Sequence, residues 1–107
     1  MEWLRALSDV ETAVADCVMR ENYFFSEHFN ALLGEYRIPR ISVIRRLKNG
    51  NHHSAYDYCK GHAEIPCYCL VIKATSEEPA LSIFVAFSRE ADGTVMMWIQ
   101  EFHLKAN

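Results

Sequence analysis

Apolar residues recur at helical spacing from Val10 onward: Val10, Ala13, Val14, Cys17 and Val18, then Tyr23, Phe24, Phe25, Phe29, Leu32 and Leu33. A stripe with a 3.6-residue period predicts an amphipathic helix. Ser8-Asp9-Val10-Glu11 reads as a capping box ahead of it. The pattern fits one helix from Asp9 to about Leu33, or two in series if Asn22, a weak helix former, breaks it. Gly34 supplies the stop, and Pro39 lies beyond it. Met1 to Leu7 reads as a short helical lead-in, with Trp3 and Leu4 expected to dock on the body. Tyr23, Phe24 and Phe25 are adjacent, so they cannot all face one way; at least one points to a pocket, a sheet end or an interface.

After Pro39 the period changes to two. Ile41 to Leu47 predicts a strand, Asn49-Gly50 a tight hairpin turn, and Asn51 to Cys59 the partner strand. Pairing across that turn sets Val43 opposite Tyr56 and Ile41 opposite Tyr58. The face carrying Ile41, Val43, Leu47, Tyr56 and Tyr58 is the expected core face. Three more strands follow, at about Cys67 to Ala74, Ala80 to Arg89 and Thr94 to Leu104, the last two joined at Asp92-Gly93. A straight register pairs Phe87 with Trp98, Val85 with Gln100, Ile83 with Phe102 and Leu81 with Leu104. That face is apolar and is expected to meet the helix. The other face then carries Phe84, Ala86, Met97 and Ile99, too apolar for a face left to water. A second copy of the chain is the expected cover, which predicts a homodimer; the alternative is that Met1 to Leu7 or a loop folds over this face.

The expected fold class is α+β: an N-terminal helix, or two in series, packed on a curved antiparallel sheet of four to five strands, in one domain spanning residues 1–107. In element order, helix and then meander, it is similar to cystatin-like and NTF2-like folds. The resemblance covers most of the chain and rests on no motif. The cystatin signature Gln-x-Val-x-Gly is absent, so the resemblance implies no residue roles.

Composition narrows the function classes. Half of the 107 residues are hydrophobic and 23% are charged, which argues for a packed domain over a disordered chain. The net charge of −3 disfavours a generic grip on nucleic acid. The one basic cluster, Arg37, Arg40, Arg45, Arg46 and Lys48, reads as a solvated strand and turn. No secretory signal is visible and no stretch approaches the ~20 apolar residues of a membrane span. The expectation is a cytoplasmic protein with no membrane contact, whose four cysteines are thiols.

Three constellations carry candidate chemistry. Cys59, His62, Cys67 and Cys69 form two close pairs that would suit zinc, although Cys-x-Cys is not the usual knuckle spacing. Without a metal these thiols act as small apolar strand residues, and no cofactor is required. His62 could also activate Cys59 or Cys67, with Asp57 or Glu64 as the orienting group. Finally, a sheet curved over a helix leaves a cavity that Tyr56, Tyr58, Trp98 and His103 would line, with Glu101 beside His103 for proton transfer. Glycine-rich phosphate loops, nucleophile elbows and His-Glu-x-x-His are absent. The reading that remains is a small, non-enzymatic binding or protein-interaction module, with a small-molecule site and a zinc-stabilised module as alternatives.

Overall fold

A computed structural model describes residues 7–50, 52–57 and 67–104. Three helices pack on one face of a five-stranded mixed sheet. The elements are α1 (Leu7–Met19), β1 (Tyr23–Phe25), α2 (Glu27–Glu35), α3 (Arg40–Lys48), β2 (His52–Asp57), β3 (Cys67–Ile72), β4 (Leu81–Arg89) and β5 (Val95–Leu104). Strand order is β1-β5-β4-β3-β2, antiparallel except for β1, which runs parallel to β5. Val10 and Val14 of α1, Phe29 of α2 and Val43 of α3 meet Leu70, Ile83, Val85 and Phe87 of the sheet, all with no exposed surface.

The N-terminal stripe is two helices, and a strand lies between them. Glu21 takes a left-handed φ of 59°. The Asn22 N–H then donates to Cys17 O at 2.8 Å, and the Glu21 N–H to Val18 O at 3.2 Å. These two bonds close α1 in a Schellman motif. The chain leaves extended, so Tyr23, Phe24 and Phe25 alternate on a strand rather than fan around a helix. Ser26 caps α2, its Oγ accepting from the Phe29 N–H at 3.0 Å. Gly34 is not the stop expected of it, because it lies inside α2. Arg37, at φ 56°, ends that helix in the same way, the Ile38 N–H donating to Leu33 O at 2.9 Å.

Residues 41–47 form a helix, not the expected strand. The buried set is Ser42, Val43, Arg46 and Leu47, which repeats at four-residue spacing, while Ile41 is 69% exposed. Three basic residues, Arg45, Arg46 and Lys48, occupy the last turn, where cations favour the helix dipole. Asn49-Gly50 is the end of α3, with Gly50 at φ 74°, and not a hairpin. The face proposed for Ile41, Val43, Leu47, Tyr56 and Tyr58 therefore does not form. β2 pairs with β3 instead, Tyr56 opposite Cys69.

The hairpin at Asp92-Gly93 forms as expected, with Gly93 at φ 91° and Arg89 opposite Val95. Its outer half keeps the predicted register: Leu81 faces Leu104 and Ile83 faces Phe102. Between Phe84 and Val85 the register slips, because Gln100 is an extra residue on β5. This β-bulge turns the inner half of β5 over. Met97 and Ile99 enter the helix-side core with no exposed surface, and Trp98, opposite Ala86, faces the other side. The interface expected from Phe84, Ala86, Met97 and Ile99 is thus divided between the two faces.

Candidate functional site

Three surface regions are open enough to engage a partner. The first lies on the sheet face opposite the three helices, at the β1–β5 margin. Strand alternation that buries Phe25 turns Phe24 outward, and the bulge turns Trp98 outward beside it. Phe24 is 57% and Trp98 39% exposed, with ring centroids 5.4 Å apart. They flank a groove of about 440 Å³ that Ser26, Ala86, Ser88, Ile99 and Gln100 complete. Two of its polar contacts lie within the chain itself. Trp98 Nε1 donates to Ser88 Oγ at 2.8 Å, and Ser26 Oγ donates to the Gln100 carbonyl at 2.6 Å. The groove therefore offers apolar and aromatic surface. Deeper on this face, Phe84, Ala86, Cys69 and Val71 are buried within the chain itself.

The second region runs between α2 and the outer half of β5. His28, Leu32 and Tyr36, four residues apart, face Glu101 to Leu104 across about 380 Å³. Glu101 Oε2 stands 3.6 Å from His103 Nε2 and 4.0 Å from His28 Nε2. The Glu101/His103 pair read from the register is present, and His28 joins it from a helix that sequence spacing did not connect. These separations exceed hydrogen-bond reach, so the trio is a loose surface cluster rather than a proton relay.

The third is a groove of about 710 Å³ between α3 and the β3–β4 loop. Glu78 anchors its floor. Its carboxylate accepts from Ser42 Oγ and Arg45 Nη2, and from Thr75 Oγ1 at 2.8 Å. The Ser42 and Thr75 hydroxyls, with Arg45 adding its charge, hold that carboxyl down at about 2. Beneath it Arg46 is fully buried. Its Nη1 donates to the carbonyls of Pro79 at 2.6 Å and Lys73 at 3.2 Å, and Nη2 to Ser42 Oγ at 3.3 Å. These charges pin the loop to α3, which gives two members of the expected solvated cluster a structural task. A buried arginine in a predicted strand had no distinguishing signal; the Ser42/Arg46 spacing of four shows it once the helix is known.

The remaining sequence-derived candidates do not assemble in the described residues. Tyr58, Cys59 and His62 lie outside them. Cys67 is disulfide-bonded, which departs from the expectation of four thiols, while Cys17 and Cys69 are buried thiols. Burial, with Asp16 adding to it, pushes the Cys17 thiol up to about 11, the opposite of an activated nucleophile. Among the described residues no three His, Cys, Asp or Glu side chains are grouped to hold a metal ion. The helix–sheet space that was to hold a ligand is filled by Phe29, Val43, Ile83, Phe87, Met97 and Ile99, all fully buried. Trp98 and His103 face the other side of the sheet. Among the described residues no helix is long and apolar enough to cross a membrane. No family model matches the chain, and neither a curated protein nor a solved structure matches it.

Proposed function

We propose that the chain is a non-enzymatic protein-interaction module that pairs with a second copy through the sheet face opposite the three helices. The supporting observation is the Phe24–Trp98 pair, two large aromatic side chains held open to water by a strand register that admits no other placement. Aromatics are the residues that most often anchor a protein contact. Because Phe84 and Ala86 are buried in the single chain, the contact centres on the β1–β5 margin rather than on β4. Sedimentation over a wide concentration range tests this. The expected result is a mass that rises to the dimer and returns to the monomer in Phe24→Glu, which sits at an exposed position. A monomer at every concentration would overturn the homodimer.

A second reading, a small apolar ligand in the same groove, is favoured by the two aromatic rings that flank it. It predicts quenching or a shift of Trp98 emission on adding an aromatic probe such as indole, with no change in mass. The meander β2–β5 with helices on one face keeps a cystatin-like or NTF2-like plan as part of the proposal, to be tested by an experimental structure.

A further inference from the structure

Charge is unevenly spread along the chain. Residues 36–56 carry Arg37, Arg40, Arg45, Arg46 and Lys48 and no acidic residue, so all 14 Asp and Glu residues and the other six of the 11 Lys and Arg lie elsewhere. α3 brings most of that positive charge to one surface. Its inward positions, Ser42, Val43, Arg46 and Leu47, are buried, so the helix period turns Arg40, Ile41, Arg45 and Lys48 to water. Ile41 is 69% exposed in the midst of them. Arg37, just ahead of the helix at a left-handed φ of 56°, is exposed as well. Arg40 holds its guanidinium 4.6 Å from the centre of the Phe25 ring and is still open to solvent. From Ile41 to Lys48 the face runs about 10 Å, at about 1.5 Å per residue.

This basic face borders a hollow. Arg37, Ile41 and Arg45 line the groove of about 710 Å³, together with Tyr36 and Leu104. Tyr36 is 47% and Leu104 45% exposed, so three large apolar side chains lie open to water among the cations. Glu77 and Glu78 line the groove from the β3–β4 loop. Glu78 is bonded to Ser42, Thr75 and Arg45, which fixes the loop against α3 and gives the groove a firm border. Glu77 is exposed and leaves that border acidic.

From this pattern we infer that α3 and its groove dock an acidic amphipathic helix of a different protein, one that carries leucine-like residues flanked by Glu or Asp. Its apolar side chains sit among Tyr36, Ile41 and Leu104, and its carboxylates meet Arg37, Arg40 and Lys48. Residues three or four apart share one face of a helix, so an apolar stripe edged with acids matches Ile41 with Arg45 and Lys48 beyond it. Helix-in-groove recognition works through apolar anchors at this spacing. Complementary charge supplies association rate and selectivity, while each rim pair adds little affinity. Two other polyanionic partners fit less well. A nucleic acid strand extends past the patch, over a chain whose remaining charge is acidic. A bilayer is flat, whereas the exposed apolar residues here surround a hollow bordered by Glu77. The groove shares no lining residue with the Phe24–Trp98 groove, so this docking goes beyond the pairing of copies and fails or stands independently of it.

Fluorescence anisotropy tests this with labelled probes. The probe is a capped helical peptide with leucine along one face and glutamate on either side of it. The comparisons are the same peptide with lysine for glutamate, oligoglutamate, a short oligothymidylate, and vesicles of phosphatidylserine with phosphatidylcholine. The leucine–glutamate peptide should bind at least about five-fold tighter than any of these, and weaken several-fold as salt screens the rim charges. Ile41→Glu and Arg37→Glu, both at exposed positions, should each weaken it by at least about three-fold, while Arg20→Glu, the same change of charge on α1, should stay within about two-fold. Urea midpoints check that the variants fold. Amide shifts of the wild-type protein on adding the peptide, centred on residues 37–48, locate the contact without any variant. Oligoglutamate binding as tightly would overturn the proposal, because the face would then attract any anion. Tighter binding of the oligothymidylate or the vesicles would assign it to a nucleic acid or a bilayer instead. A peptide that does not bind, or shifts centred elsewhere, would overturn it outright.

Discussion

Deleting Gln100 tests whether that residue is surplus to the β4–β5 ladder. Ile99 already faces Val85 and Glu101 already faces Phe84, so removing Gln100 joins two residues whose partners are themselves adjacent. β5 then pairs straight with β4, and every side chain keeps its face. Met97, Ile99 and Phe102 stay in the core, and Trp98 stays outside it. The loss is the bond that Ser26 Oγ makes to the Gln100 carbonyl, worth about 0.5–1.5 kcal/mol. Deleting Ile99 instead shortens β5 by the same amount, but draws Gln100 into the place that Ile99 holds with no exposed surface. That removes the burial of an Ile side chain, about 1.5–3 kcal/mol, and buries an amide without a partner, about 1–3 kcal/mol. The second deletion should therefore cost at least about 2.5 kcal/mol, against a total stability of about 5–15 kcal/mol for a domain. Urea unfolding followed by circular dichroism reads both. With a slope of about 2 kcal/mol per molar, the midpoint should fall by more than about 1 M on deleting Ile99 and by less than about 1 M on deleting Gln100. Gln100→Ala, which keeps the residue count at an exposed position, should stay within about 0.5 kcal/mol of wild type. A Gln100 deletion that moves the midpoint as far as the Ile99 deletion would refute the reasoning, because Gln100 would then belong to the ladder rather than be surplus to it.

Further outcomes follow from the same geometry. Arg46→Ala should cost about 3 kcal/mol or more in urea unfolding, since it opens a cavity and strands the carbonyls of Lys73 and Pro79, whereas Arg46→Met, which refills the space, should cost about 1–3 kcal/mol. Glu78 has its carboxyl lowered from 4.5 to about 2, so its contribution is complete above about 4.5 and is lost as pH falls towards about 2; Glu78→Gln should flatten the stability profile in that window and leave neutral pH less stable. His52 is held below its ordinary 6.5 by burial, and its buried Nδ1 has no hydrogen-bond partner among the described residues. Thermal melts should therefore lose stability as pH falls below 6.5, less steeply in His52→Phe. Glu21→Gly should raise stability by about 0.5–1 kcal/mol by relieving its left-handed backbone, and Gly34→Ala, inside α2 with open space around its Cβ, should do the same.

What the sequence made legible were features encoded by neighbours in the chain. The α1 stripe, the β3 run, the Asp92-Gly93 hairpin and the outer β4–β5 pairs depend on contacts within one or two elements. The misreadings share a cause: a local signal with two physical solutions. Asn49-Gly50 accepts positive φ in a hairpin and at a helix end alike, and only the buried four-residue repeat of Ser42, Val43, Arg46 and Leu47 selects the helix. Glu21 and Arg37 terminate helices in a conformation usually left to glycine, so nothing in their chemistry announces the break. β1 is three residues long and exists because β5 is there to receive it. The candidate site was less legible still, because it consists of exposures rather than a motif. The Cys/His segment that looked chemical contributes only Cys67 and Cys69 to the described residues, one disulfide-bonded and one buried.

The aromatic pair and the start of α2 are tied together through one residue. Upstream of Gln100, β5 pairs with β1 on one side and β4 on the other, so what it turns outward is a side chain: Trp98, next to Phe24. Ser26 closes that stretch, its N–H donating to Ile99 O and its Oγ to Gln100 O, and the same Oγ caps α2 by accepting from the Phe29 N–H. Ser26→Ala removes the cap and the bond to Gln100 together, which should cost about 1–3 kcal/mol in urea unfolding. Phe24→Glu lies two residues earlier, at an exposed position, and should stay within about 0.5 kcal/mol of wild type. The two variants therefore separate a residue that holds the strand in place from one that the strand holds out. A Phe24→Glu variant that lost as much stability as Ser26→Ala would mean that the Phe24 ring serves the fold itself, and the proposed contact between copies would lose its anchor.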